Sequence, residues 1–273
     1  MNICKIIFAL AIVGAGLTKG ATLDERIADR AAIERVYYAH RTGVTETFEQ
    51  ALPAAELHRL IKRDVARESA LRSHYGVEIT AAQIAAEVTR IETTTRDPET
   101  LAEIKAALGQ NATHFADAFA KPIVVERELR ARFDNDDALH AAARRECEAT
   151  RTNLLAAKIS GATTAELSAQ LKRTHTTAVS QATWSFLART VETNTPASVG
   201  KLYFDELPSQ LRQVLAAQLR VPGDVSAVIE TPENFLLFIT IEKTEAALTA
   251  ACLTLPKQNL DAWLGTQPFE TEK

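Results

Sequence analysis

An α+β fold, mostly α, is what this chain of 273 residues predicts, on three observations. Apolar residues recur at helical spacing almost without interruption from Leu23 to about Ile159. Runs of β-branched and aromatic residues occur only after that stretch. With 46% hydrophobic residues rich in Ala and Leu, and only 10 Gly and 9 Pro, the composition fits a folded, largely helical protein.

The first residues read as an export signal. Lys5 supplies the positive start, Ile6 to Leu17 is an apolar run, and Thr18-Lys19-Gly20-Ala21 closes it with small residues. The run is too short to cross a bilayer of ~30 Å as a helix of about 20 residues. Residues 1–21 are therefore assigned as a signal peptide, and the periplasm as the location. An uncleaved leader that tethers the protein to the membrane is the alternative. Cys4 precedes the apolar run, where it cannot serve as a lipoprotein's acylated cysteine. The net charge of −4 becomes −6 once Lys5 and Lys19 leave with the signal. Such a mildly acidic chain of mixed charge carries no footprint for nucleic acid. Cys147 and Cys252 remain, either paired or as two buried free thiols.

The elements follow in order. Ile27, Ala31, Ile33 and Val36 make one helical stripe, broken from Gly43 to Pro53. From Pro53, the series Leu57, Leu60, Ile61, Val65 and Leu71 gives a second helix that stops at Tyr75-Gly76. Thr80 and Gln83 form a capping box for a helix bearing Ile84, Val88 and Ile91. Asp97-Pro98 starts a helix ended by Gly109. Another spans Thr113 to Phe133, bent or divided at Pro122. Ala138 to Ile159 is one long helix stopped by Gly161. Strands are expected over Thr183–Thr190, Lys201–Phe204, Val225–Ile229 and Phe235–Ile241. Helices are expected over Leu207–Leu219, Ala246–Cys252 and Pro256–Leu264, the last with Leu260 and Trp263.

Two passages carry a family resemblance. Leu207-Pro208, Val221-Pro222-Gly223-Asp224-Val225-Ser226, Glu230-Thr231-Pro232 and Phe235 stand in the order of the closing half of a parvulin-type peptidyl-prolyl isomerase domain. Tyr75-Gly76-Val77-Glu78-Ile79-Thr80 with Ile84, and Phe119-Ala120-Lys121-Pro122 to Leu129, resemble the chaperone module of SurA/PpiD-like periplasmic folding factors. The resemblance implies a discontinuous helical chaperone-like module with an inserted parvulin-like α/β domain. Its divisions would be residues 22–143 for the helices, 144–243 for the degenerate parvulin-like domain, and 244–273 for a C-terminal helix returning to the helical module.

The same resemblance implies lost catalysis. Parvulins carry two histidines on neighbouring strands; the slot of the second is Leu236. The only candidate for the first, His140, is followed by Ala141-Ala142-Ala143-Arg144, a helical sequence, and reads as an exposed helical histidine. The remaining histidines, 40, 58, 74, 114 and 175, show no metal-ligand spacing, so neither metal nor cofactor is expected. No nucleophile-elbow context surrounds Ser180 or Ser185. With catalysis set aside, the expected partners are unfolded or extended client polypeptides, with outer-membrane proteins as one class. Tyr37, Tyr38, Phe48, Phe115, Phe119 and Phe133 are the candidate client contacts, against the plainer reading that these rings are core. A working divergent isomerase and an envelope-assembly adaptor for one partner are the alternatives.

Overall fold

A computed structural model describes residues 21–43, 45–187 and 202–268. Residues 1–20 of the expected leader therefore lie outside the described residues, as does most of the segment between the first two strands. The described chain is mostly helical with a small mixed sheet, α+β as expected. It divides into two compact units, the first ending at Glu126 and the second running from Arg127 to Pro268.

The first unit is helical: α1 (Leu23–Ala39), α2 (Phe48–Ala51), α3 (Ala54–Ser73), α4 (Ala81–Thr94), α5 (Pro98–Ala107), α6 (Ala112–Phe115) and the start of α7 (Lys121–Phe133). Local chemistry sets the ends. Thr80 and Gln83 close the expected capping box, and the Asp97 carboxylate accepts from the Thr100 N–H with Pro98 in the first turn. Gly76 and Gly109 take positive φ where α3 and α5 stop. Pro122 divides its helix in a particular way. Residues Ala116–Ala120 form a π-helical turn, and the Lys121 N–H reaches back to the Ala116 carbonyl. Proline offers no N–H, so the wider turn accommodates the bond lost four residues upstream. The core of this unit joins Ile33, Ile91, Leu101, Ile104, Leu108 and Phe115.

The second unit holds α8 (Asp137–Ile159), α9 (Thr164–Thr174), β1 (Val179–Ser185), β2 (Leu202–Tyr203), α10 (Ser209–Gln218), β3 (Ile229–Glu230), β4 (Asn234–Lys243), β5 (Ala247–Pro256) and α11 (Leu260–Thr266). The sheet order is β2-β1-β5-β4-β3, with only the β1–β2 pair parallel. Alternation sorts the side chains to two covered faces. Phe235, Leu237, Ile239, Ala251, Leu253 and Leu255 meet Cys147 and Leu154 of α8 and Leu167 and Leu171 of α9. Phe238, Leu248, Ala250 and Cys252, with Trp184 of β1, meet Leu215 and Leu219 of α10 and its end. Leu260, Trp263 and Leu264 of α11 are buried, and the Trp263 ring lies 5.3 Å from that of Phe133.

Several expectations are corrected. Ala246–Cys252 is not a helix; it lies in β5, paired to β4 on one side and β1 on the other. Its alanines favour helix in isolation, but two neighbouring strands supply every ladder bond, and tertiary pairing overrides propensity. Helix α9 was not anticipated, although Thr163 and Glu166 form a capping box for it. Val225 makes only an isolated bridge, to Ile239, and the strand expected there is confined to Ile229–Glu230.

Candidate functional site

The passage that carries the isomerase resemblance folds as helix, turn, strand, turn, strand. Asp224 N–H bonds to the Val221 carbonyl at 3.1 Å, and Gly223 has φ +83°, as the Val221-Pro222-Gly223-Asp224 turn requires. The Asp224 carboxylate accepts from the Arg220 and Val221 N–H groups and pairs with Lys158 at 2.8 Å. Desolvation opposes its ionisation, but Lys158 and the two amides outweigh it and hold this carboxyl below the ordinary range. Ser226 is fully buried: its hydroxyl donates to the Ala227 carbonyl and accepts the Phe238 N–H, standing in for a ladder bond. The next turn is closed by Thr231, which accepts from the Asn234 N–H and donates to its carbonyl. Asn234 begins β4, and Gln110 is the only non-glycine with positive φ among the described residues.

Leu236 lies on the face with Phe238, Trp184, Leu215 and Ile229. Thr254 is its partner across the ladder, and the Cys252 thiol is 3.7 Å from the Thr254 hydroxyl. Burial pushes the Cys252 thiol up, so it is held as a neutral thiol. The described hydrophobic members of this face are Leu236, Phe238, Trp184, Leu215, Ile229 and their neighbours, joined by the Cys252 thiol near the Thr254 hydroxyl.

His140 is a correction. It sits on α8, as the helix-forming residues after it dictate, but it is buried rather than exposed. Its Nε2 donates to the Phe133 carbonyl at 2.8 Å, and Nδ1 accepts the Gln258 N–H at 3.3 Å. Both ring nitrogens are thus committed to backbone, and the ring meets Phe133 edge-on at 5.2 Å. It clasps α8 to the segment before α11.

One arrangement that sequence reasoning missed has the outline of a nucleophile–base–acid set. Thr150 Oγ1 is 2.9 Å from His175 Nε2, and His175 Nδ1 is 3.4 Å from Glu146. The Thr150 hydroxyl donates its proton to the Glu146 carbonyl at 2.9 Å, so it accepts from the imidazole instead of being activated by it. Thr150 and His175 are both buried. The set packs α8 against the end of α9.

The candidate client contacts are dispersed. Phe115 and Phe133 are buried and serve as packing residues in the first and second unit, respectively. Phe119, half-buried, stacks on Phe115 at 5.1 Å. Phe48 is buried under the Arg35 guanidinium and meets Tyr38, whose hydroxyl donates to the Glu46 carbonyl. Tyr37 alone of these rings is exposed, at 42%. Among the described residues, three of the exposed large apolar side chains lie at the end of β1 and in β2: Phe186 (36% exposed), Leu187 (63%) and Leu202 (45%), and Phe186 meets Phe204 edge-on at 5.1 Å. A groove of about 320 Å³ runs between this pair and Ser209, Arg212 and Gln213 of α10.

Cys147 and Cys252 are free and lie in the cores on opposite faces of the sheet. Among the described residues no group of three or more His, Cys, Asp or Glu is placed to hold a metal ion, and no helix is long and apolar enough to cross a membrane. No protein-family model matches the chain, and neither a curated protein nor a solved structure matches it significantly.

Proposed function

We propose that the protein is an exported, periplasmic folding factor that holds unfolded or extended polypeptide. Its second unit would be built like a parvulin-type isomerase domain that no longer catalyses. The observation that carries this reading is the β2 edge. An edge strand presents backbone groups to a partner, and among the described residues β2 is such an edge, flanked by exposed Phe186, Leu187 and Leu202 and an open groove beside α10. That combination suits an extended segment able to add backbone hydrogen bonds and lodge alternate apolar side chains. The order of α10, the Gly223 turn, β3 and β4 supports the parvulin-like assignment, and Leu236 on an apolar face favours binding over isomerisation.

The test is suppression of aggregation of a chemically denatured model client by the purified protein. The wild type should suppress aggregation, and the combined Phe186→Ser, Leu187→Ser, Leu202→Ser variant should lose most of that effect while keeping its circular dichroism spectrum. Full suppression by the folded variant, or none by the wild type, would remove the reading.

A further inference from the structure

The chain that joins β5 to α11 is held by two contacts that the folding-factor reading does not use. Lys257 is buried, its side chain 3% exposed. Its ammonium donates to the Asp134 carbonyl at 2.5 Å and to the Glu230 carboxylate at 2.6 Å. Glu230, in β3, also takes the Arg144 guanidinium of α8 at 2.5 Å. One residue further on, the Gln258 N–H donates to Nδ1 of buried His140 at 3.3 Å, while His140 Nε2 donates to the Phe133 carbonyl at 2.8 Å. Helix α11 begins just beyond, with Leu260, Trp263 and Leu264 buried.

The two bonds of His140 require a neutral ring. A carbonyl can only accept, so Nε2 carries the proton; a backbone N–H can only donate, so Nδ1 must offer a lone pair. An imidazolium has a proton on each nitrogen. Its Nδ1–H would meet the Gln258 N–H head-on, and a buried donor without an acceptor is costly. The charged groups on the elements around the ring are Asp136, Asp137 and Arg144 of α8 and its cap, Glu230 of β3, Lys257, and Asp261 of α11. Asp136 accepts the Ala138 and Leu139 N–H groups, and Asp137 pairs with Arg144 at 2.6 Å. Desolvation opposes ionisation of Glu230, but Lys257 and Arg144 outweigh it and hold this carboxyl below the ordinary range. Its pairing therefore persists in mild acid and is lost only as pH falls through that lowered value. The Lys257 anchor thus outlasts the Gln258 bond.

We infer that His140 is an acid-sensitive latch on α11: protonation of Nδ1 breaks the Gln258 bond, frees the chain from Gln258 onward, and uncovers the apolar face of Leu260, Trp263 and Leu264. The Lys257–Glu230 pair sets the boundary, so β5 stays in the sheet. The inference goes beyond the folding-factor reading and stands without it.

The test is amide hydrogen exchange of the purified protein, read by NMR and corrected for the intrinsic pH dependence of exchange. The span is pH ~7.5 to ~5, around the ordinary histidine value of about 6.5. Protection of Gln258 and of the α11 amides should fall with pH, by up to about tenfold per pH unit for the one proton taken up. The Lys257 amide and those of β4 should keep theirs. His140→Gln, which cannot titrate, should remove the fall. The imidazole nitrogen shifts of the wild type give a reading that needs no variant: His140 should show the Nε2–H tautomer when neutral, and its protonation should run in step with the loss of α11 protection. Protection in α11 that ignores pH, an equal fall in β4, a fall retained in folded His140→Gln, or protonation of His140 with α11 still protected would each overturn the inference.

Discussion

The first unit ties its helices together with charge pairs that reach solvent; the second buries a sheet under helices on both faces. In the first, α1 is joined to α3 by Arg26–Glu68, to α5 by His40–Glu103 and to α6 by Asp29–His114. In the second, Phe235, Leu237, Ile239, Leu253, Leu167 and Leu215 are completely enclosed. Ion pairs at partly exposed positions contribute little, ~0–1 kcal/mol for one such as Arg26–Glu68, whereas each enclosed apolar side chain contributes about 1.5–3 kcal/mol. The difference teaches that enclosed apolar side chains outweigh exposed ion pairs in holding each unit, and that the pairs of the helical unit are the part sensitive to salt.

The largest expected effects lie in the second unit. Trp263→Ala should destabilise by roughly 3–5 kcal/mol, since the ring is buried against Phe133. Denaturant titration would check this, and a loss under ~1 kcal/mol would show that the site collapses around the vacancy. Next comes Ser226→Ala, which strands the Phe238 N–H that the hydroxyl accepts. A loss of about 1–3 kcal/mol is expected by the same measurement.

A smaller effect is expected at the helix starts of the first unit. Thr80→Ala removes one side of a capping box and should lower stability by about 0.5–2 kcal/mol. Hydrogen exchange should rise at the first amides of α4 and stay unchanged in β4. Equal loss in both would break the distinction between the units.

The smallest effect is electrostatic. The hydrogen bond from the His40 ring to Glu103, and then the Glu103 charge, raise His40, and Asp29 does the same for His114. A histidine raised on folding stabilises fully below its ordinary value of about 6.5, and that contribution fades as pH rises through the elevated folded value. Stability of the first unit should therefore decline modestly on passing upward through that window, and less so in salt. The His40→Gln, His114→Gln variant should be flat there.

Much of this architecture was legible locally. Thr80 with Gln83, Asp97 with Pro98, and the glycines at 76 and 161 announce helix ends because caps act within a turn. The β-branched and aromatic run from Phe235 to Ile241 announced β4 as a strand. Strand β5 was hidden because Ala250, Ala251 and Cys252 have no β-preference of their own; they are strand only because β1 and β4 flank them. The site was legible only in part. Leu236 could be placed on its face by the period-two rule, whereas His140 was taken as exposed because nothing in its neighbourhood names Phe133 or Gln258 as partners.

The central claim is that the second unit offers a binding surface without isomerase chemistry, and one measurement reads both halves. Exchange NMR of a proline-containing peptide with apolar flanking residues, recorded with substoichiometric protein, reports binding through line broadening and catalysis through cis–trans cross-peaks. The account predicts broadening that the Phe186→Ser, Leu187→Ser, Leu202→Ser variant abolishes, with no cross-peaks above those of the peptide alone, because uncatalysed exchange takes tens of seconds or longer. Cross-peaks that grow with protein concentration would contradict it.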